Sequence, residues 1–253
     1  VWYQKAFNYQ PTAGKRVFLY FGGANFAKDV YVNGTLLARH KGGFTPFNTE
    51  VTDYLKAGDN AVVVKVDSMS GPAEVPTEYN DWMNYGGITR DVMLVETDAS
   101  FVRNYKLQLK KGHRDTISGW VQLDGVSTAQ TVTLQIPEAG IEKTLTTDNS
   151  GLAQFEFKAE LALWSPQSPK LYDIHWQLGD TKLDDQVGFR SIETRGEDIL
   201  LNGKSIFLRG ISLHEVSLLR HGRANSQADA DAAIAKLKAL NMMPIRFLYV
   251  AIS

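Results

Sequence analysis

With 253 residues, and 27 Lys and Arg set against 28 Asp and Glu, the chain is longer than one average domain and almost uncharged overall, so two or three domains are expected. A net charge of -1, with neither sign gathered into a long run, excludes a protein held to DNA, RNA or anionic lipid by bulk electrostatics. Hydrophobic residues at 43% and charged ones at 22% are ordinary for a globular protein. No stretch approaches the ~20 apolar residues that span a bilayer, so neither nucleic acid nor membrane is expected as a partner. The absence of Cys excludes disulfides, thiolate metal sites and a cysteine nucleophile, while leaving cytoplasm and periplasm equally open.

Val1-Trp2-Tyr3-Gln4-Lys5 lacks a basic segment followed by an apolar core, so the chain does not read as an intact secretory precursor. From residue 1 to about 97, short alternating runs separated by turn residues predict an antiparallel all-β domain. Arg16 to Phe21 and Ala61 to Val66 are strands. Asp29 to Val32, Asn33-Gly34, and Thr35 to Ala38 form a hairpin, because a type I′ turn needs φ > 0 at both central residues. Asn33-Gly34-Thr35 also fits an N-glycosylation sequon, with the tight turn the favoured reading.

A second β region, about 98 to 188, contains strands at Tyr105 to Leu109, Thr131 to Ile136 and Leu171 to Leu178. Its length and spacing suit a small immunoglobulin-like sandwich. Asn202-Gly203 closes another hairpin, and Ile206 to Ile211 reads as a buried strand. A helix over 227–240 follows, with Ser226 as N-cap and Asp229 three residues on. It carries Ile234, Leu237 and Leu240 on one stripe, Lys236 and Lys238 in its last turns, and Asn241 as a cap. Ile245 to Leu248 then reads as a strand, and strand, helix, strand opens a parallel α/β unit. The apolar run to Ser253 has no closing turn, and such a unit cannot bury its sheet alone. Its strand edges and helix face predict a homo-oligomer, dimeric or larger, or else a disordered tail after about residue 195.

Three stretches resemble glycoside hydrolase family 2, the β-galactosidases, β-glucuronidases and β-mannosidases. Asp81-Trp82-Met83-Asn84-Tyr85-Gly86-Gly87-Ile88-Thr89-Arg90-Asp91-Val92 is similar to the loop closing the family's sugar-binding jelly roll. Leu163-Trp164-Ser165-Pro166-Gln167-Ser168-Pro169-Lys170-Leu171-Tyr172 resembles the signature near the end of its immunoglobulin-like domain. Gly188-Phe189-Arg190-Ser191-Ile192-Glu193, through Leu201-Asn202-Gly203-Lys204 to Leu208-Arg209-Gly210-Ile211-Ser212-Leu213-His214-Glu215, resembles the entrance to its (β/α)8 barrel. The resemblance implies a mostly β chain in three parts: a jelly-roll sugar-binding domain over 1–97, an immunoglobulin-like β-sandwich over 98–188, and the truncated start of a (β/α)8 barrel over 189–253.

Candidate sugar ligands follow from the residues and from the resemblance together. A Trp or Tyr face can stack on a pyranose while Asp and Asn take its hydroxyls, and Trp82, Asn84 and Tyr85 stand beside Gly86-Gly87. Read from the residues alone, the same aromatics plug the sandwich equally well and the glycines make a tight turn. His214-Glu215 is weak evidence unaided, because adjacent strand residues face opposite ways. Arg246, between Ile245 and Phe247, can merely snorkel. The resemblance implies that Asp81, Trp82, Asn84, His214, Glu215 and Arg246 bind substrate, a terminal β-galactoside first and a β-glucuronide second.

No catalytic residue is expected within the chain. Retaining glycosidases need two carboxyl groups ~5 to 5.5 Å apart, and the resemblance implies that both glutamates lie on barrel strands beyond residue 253. Asn is never followed by Glu in this sequence, so the family's acid/base pair is absent. Phe247 to Ile252 stands where the family has His-Tyr-Pro, and family members have further residues before the Trp-Tyr that matches Trp2-Tyr3. No cofactor and no metal are expected: Gly-x-Ser-x-Gly, Gly-x-Gly-x-x-Gly, P-loop and His-Glu-x-x-His motifs are missing, and the seven-residue step from His214 to His221 is no recognised metal spacing. The chain thus reads as the N-terminal part of a retaining β-glycoside hydrolase, inactive alone. The alternatives are a non-catalytic carbohydrate-binding or assembly module and an enzyme with a rearranged site. The compartment is left open, periplasmic or secreted slightly ahead of cytoplasmic.

Overall fold

A computed structural model describes the whole chain except residues 70, 73, 76–83, 209, 214–215, 241–242 and 248–253. The chain is mostly β, and its strands divide between two compact units, Val1–Thr97 with Leu208–Ser253, and Asp98–Phe207.

The first unit begins with β1 (Trp2–Tyr9), β2 (Lys15–Phe21), β3 (Ala24–Asn25), β4 (Ala27–Val32), β5 (Thr35–Lys41), β6 (Phe47–Glu50), β7 (Gly58–Asp67), β8 (Gly87–Ile88) and β9 (Val92–Asp98). One sheet has the order β1-β7-β4-β5 and another β6-β2-β9, while β3 and β8 form a two-stranded clip. Strand alternation sends Val17, Leu19 and Phe21 of β2 against Val30 and Val32 of β4 and Val62, Val64 and Val66 of β7, all buried in one cluster. The predicted hairpin is present. Asn33 (φ 50) and Gly34 (φ 87) both take positive φ, and Val32 pairs with Thr35 across them. The Asn33 amide also donates to Tyr54 O and Asn60 Oδ1, each at 2.8 Å, and its Oδ1 accepts from Ala61 N at 2.9 Å. Those bonds give the turn reading of the sequon its structural reason.

The second unit holds β10 (Phe101–Leu109), β11 (Thr116–Asp124), β12 (Thr131–Ile136), β13 (Ile141–Thr146), β14 (Leu152–Lys158), β15 (Tyr172–Leu178), β16 (Thr181–Val187), β17 (Ile192–Arg195), β18 (Asp198–Leu201) and β19 (Lys204–Ser205). Sheets β10-β11-β14 and β13-β12-β15-β16 make a sandwich. Its core is built on Trp176, Ile117, Leu134, Ile136 and Ile174, all fully buried. Two of the motif stretches meet here. Trp164 donates its backbone N–H to Phe189 O at 2.8 Å, Asn202 Nδ2 donates to Trp164 O at 3.0 Å, and Asn202 Oδ1 accepts from Ser191 N at 3.0 Å. Gly188 lies against the Trp164 ring, where a Cβ would come within 2.9 Å of the indole, so the close approach requires glycine. The Asn202-Gly203 hairpin also has both residues at positive φ, 51 and 74.

After the second unit come β20 (Gly210–Leu213), α1 (Gln227–Ala239) and β21 (Met243–Phe247). β20 and β21 pair in parallel, the arrangement expected of a strand-helix-strand unit. Two details of the reading are corrected. Ile206 to Ile211 is not one buried strand: Phe207 is 83% exposed, and the strand starts at Gly210. An apolar run shows a preference for burial, and the backbone here takes up a strand only from Gly210 onward. On α1, Leu237 is buried but Leu240 is 55% exposed beyond the last turn.

Candidate functional site

Only part of the proposed sugar-binding set can be placed. Asp81, Trp82, His214 and Glu215 lie outside the described residues, and Arg246 stands in β21 opposite Ser212, its side chain likewise outside them. Asn84 is described, in the short stretch Asn84–Gly86 that leads into β8.

That stretch is fixed by Asn25, a buried residue of β3. The Asn25 amide donates to Asn84 Oδ1 and to Tyr85 O, each at 2.9 Å, while its own Oδ1 is buried without a hydrogen-bond partner. Two glycines make the approach possible. A Cβ on Gly86 would come within 2.6 Å of Ser68 Cβ, and one on Gly87 (φ 90) would overlap the Tyr3 hydroxyl. The Gly86-Gly87 pair is therefore required by close packing and by backbone conformation.

Lys28 supports the same corner. Alternation along β4 puts it on the face of Val30 and Val32, so a charged side chain enters the interior. Its ammonium donates to Ala24 O at 2.7 Å, to Phe26 O at 3.1 Å and to Gly42 O, and it stands 5.1 Å from the centre of the Phe47 ring. Burial pulls its pKa down to about 8. His40 stacks on Phe47 with ring centres 4.3 Å apart. Burial, followed by the positive charge of Lys28, holds the His40 pKa below its ordinary value. Sequence reasoning missed Asn25 and Lys28. The signal for Lys28 was available, since a lysine in phase with two inward valines has to find acceptors inside.

Around this corner Arg90 Nη1 donates to Phe44 O at 3.1 Å, and the Arg223 guanidinium lies 6.0 Å from the centre of the Phe44 ring. Phe44 thus connects the loop before β6 to the segment before α1. That segment is organised by Asp229, whose Oδ1 accepts from Ser217 Oγ at 2.5 Å and Arg220 Nη1 at 2.6 Å. Its Oδ2 accepts from Ser226 Oγ at 2.7 Å and from the backbone N–H groups of Asn225 and Ser226 at 3.1 Å. The hydrogen bonds from Ser217 and Ser226, and then the one from Arg220, hold the Asp229 carboxyl far below the usual carboxylate range.

Among the described residues no three His, Cys, Asp or Glu side chains gather as a metal site, and no helix is long and apolar enough to cross a membrane. The described corner offers a polar, hydrogen-bonding side chain on a rigid mount. It contains no pair of carboxylates arranged for acid/base work.

Residues 1–98 match the family described as Glycosyl hydrolases family 2, sugar binding domain. A β-galactosidase of Streptococcus thermophilus is 31% identical over 92% of this chain and 24% of its own length. A putative β-glucuronidase of Formosa agariphila is 28% identical over 85% of this chain and 28% of its own. Among solved structures, the Bifidobacterium dentium β-glucuronidase superposes with a TM-score of 0.85 at 24% identity, covering 95% of this chain and 47% of that one. The chain spans less than half the length of each of these proteins. Residues 1–98 thus carry the sugar-binding domain of glycoside hydrolase family 2, and the chain as a whole shares its β architecture with a part of these longer β-galactosidases and β-glucuronidases.

Proposed function

We propose that this chain is the N-terminal part of a retaining β-glycoside hydrolase, with terminal β-galactosides as first substrate and β-glucuronides as second. Its division would be a sugar-binding domain over 1–97, an immunoglobulin-like domain over 98–188 and the opening of a (β/α)8 barrel over 189–253. In this reading Asp81, Trp82 and Asn84 reach the rim of the site from the first domain, and His214, Glu215 and Arg246 contact the sugar from the barrel. The two carboxylates of the double displacement are supplied by residues outside 1–253. The observation that carries the reading is the Asn25–Asn84 junction inside a domain of the sugar-binding family, because it mounts a hydroxyl-binding amide on a fixed support.

Purified chain is expected to release no product from chromogenic β-galactoside or β-glucuronide. Turnover that copurifies with the chain and changes in Asp81→Ala or His214→Ala would overturn this and point to a rearranged site. A partial site lacks the contacts needed to offset lost translational and rotational freedom, so galactose and glucuronate should bind no tighter than about the millimolar range. The second reading, a carbohydrate-binding or assembly module, is favoured by the family match covering the first domain by itself. It requires a micromolar dissociation constant that Asp81→Ala abolishes. A homo-oligomer is proposed as well, and light scattering that finds a monomer would reject it.

A further inference from the structure

We propose that Lys28 and Asn25 are positioning residues, which together hold the stretch Asn84–Gly86 in the geometry that the sugar site uses. The inference rests on the reading of Asn84 as a sugar ligand, but its physical content can be tested without sugar.

Ala24 and Phe26 flank Asn25, and the Lys28 ammonium takes a carbonyl from each of them. It therefore grips the backbone on both sides of the asparagine. The third carbonyl, Gly42 O, begins the turn that lays Gly43 against the Asn25 side chain, where a Cβ would come within 2.8 Å of Asn25 Cγ. Three donors meet three acceptors, and the ammonium is fully used. Once the backbone at Asn25 is fixed, its amide has two hydrogens to give, and both go to the far stretch, at Asn84 and Tyr85. Both side chains are 2% exposed, and buried polar connections of this kind are stiff because an unmade bond in low dielectric is costly.

Deprotonation leaves a neutral amine with two N–H groups for three carbonyls. One backbone anchor is then released, and Asn25 and Asn84 gain freedom. Burial places this event near pH 8. The titratable group facing Lys28 is His40 on β5, which changes charge below its ordinary range and so in a separate pH window. Asp29 and Arg39 pair with each other at 3.5 Å, and Lys41 pairs with Glu74 at 2.8 Å. Lys65 and Asp67, on the adjoining β7, share the nearby cleft with these groups. Neither Asp29 nor Asp67 is a hydrogen-bond partner of the ammonium, whose acceptors are the three carbonyls.

The experiment is a pH titration of the isotope-labelled full chain from pH 6.5 to 9.5, followed by amide resonances. Asn25 and Asn84 side-chain amides and the backbone amides of Tyr85 and Gly86 are expected to shift together with one midpoint near pH 8. Affinity for galactose or glucuronate should fall about tenfold across the same midpoint, the worth of one hydrogen bond from a charged donor. Lys28→Met should abolish the titration, and Asn25→Ala should leave it at Ala24 and Gly42 while silencing it at Tyr85. Should Lys28→Met fail to fold, the wild-type profile decides. Shifts at Tyr85 and Gly86 that ignore pH between 7 and 9 overturn the positioning role, whether or not sugar binds. Shared shifts with no sugar bound at about 100 mM retain the positioning role and reject the sugar reading instead.

Discussion

Asp229, in the first turn of α1, accepts a 2.5 Å hydrogen bond from the Ser217 hydroxyl twelve positions earlier, and this ties the loop before the helix to the helix itself. The same carboxylate closes the capping box with Ser226 and pairs with Arg220 at 2.6 Å, so one buried side chain serves five donors. Its pKa is depressed in the fold, and the sign follows. Its contribution is present above the ordinary carboxylate pKa of the unfolded chain and is lost as pH falls through that range and below. Asp229→Asn should speed hydrogen exchange at the amides of residues 230–237 at neutral pH while leaving those of β2 unchanged. Wild-type chain should move progressively toward the same local pattern as pH falls from about 5 to about 2, and uniform loosening of both regions would contradict it.

Alkaline pH should give a stability profile with a rise and a fall. Lys28 has its pKa near 8 in the fold and 10.5 in the unfolded chain, so between these values the unfolded state binds more protons and stability increases with pH. Tyr9 donates to Glu96 at 2.5 Å, and burial, then that bond, then the Glu96 charge push its pKa to about 12. Burial, helped by Asp185, likewise pushes Tyr105 up. Above about pH 10 the unfolded tyrosines lose protons that the folded ones keep, so stability falls. Thermal midpoints from pH 7.5 to 11.5 should therefore pass through a maximum. Lys28→Met should flatten the rise and Tyr9→Phe should soften the fall. The fold would thus strengthen over the interval in which the Asn84 corner loosens.

Gly119 is expected to be among the least replaceable residues of the second unit. In β11 it faces Leu107 and Phe155, and an added Cβ would overlap the Lys106 carbonyl and come within 2.8 Å of Phe155 Cζ. Backbone cannot yield as a side-chain tip does, so Gly119→Ala should cost about 3 kcal/mol. Gly112→Ala, at φ 77 with nothing within 4 Å, should cost about 1 kcal/mol for conformation alone. Denaturant titration of both variants measures the difference, and equal costs would mean that the strand relaxes.

What could be read from sequence was whatever depends on neighbours in the chain. Asn33-Gly34 and Asn202-Gly203 declared their turns because few other pairs accept positive φ twice, and Ser226 with Asp229 declared the start of α1. Non-local facts were hidden. Ile206 and Phe207 look like core until the structure shows Phe207 83% exposed, since hydrophobicity records a preference for burial and not burial itself. Asn84 stood out because it sits beside two glycines. Asn25, its support, is 59 positions away and carries no local signature. Lys28 resembles any surface lysine unless its phase with Val30 and Val32 is counted, and its acceptors are backbone carbonyls that no side-chain pattern encodes.

The pairing of β1 with β7, from Trp2 opposite Lys65 to Tyr9 opposite Gly58, sets an order of events during synthesis. β1 emerges from the ribosome before β7 and has no described partner in its sheet until β7 has followed. The β4–β5 hairpin can zip as soon as it appears, whereas the outer strand waits for a closure across most of the first unit. Until then the backbone N–H and C=O groups of β1, and the side chain of Phe7 that packs on the core in the folded chain, are open to other chains, so slow translation of the segment between β5 and β7 should favour chaperone capture over autonomous folding.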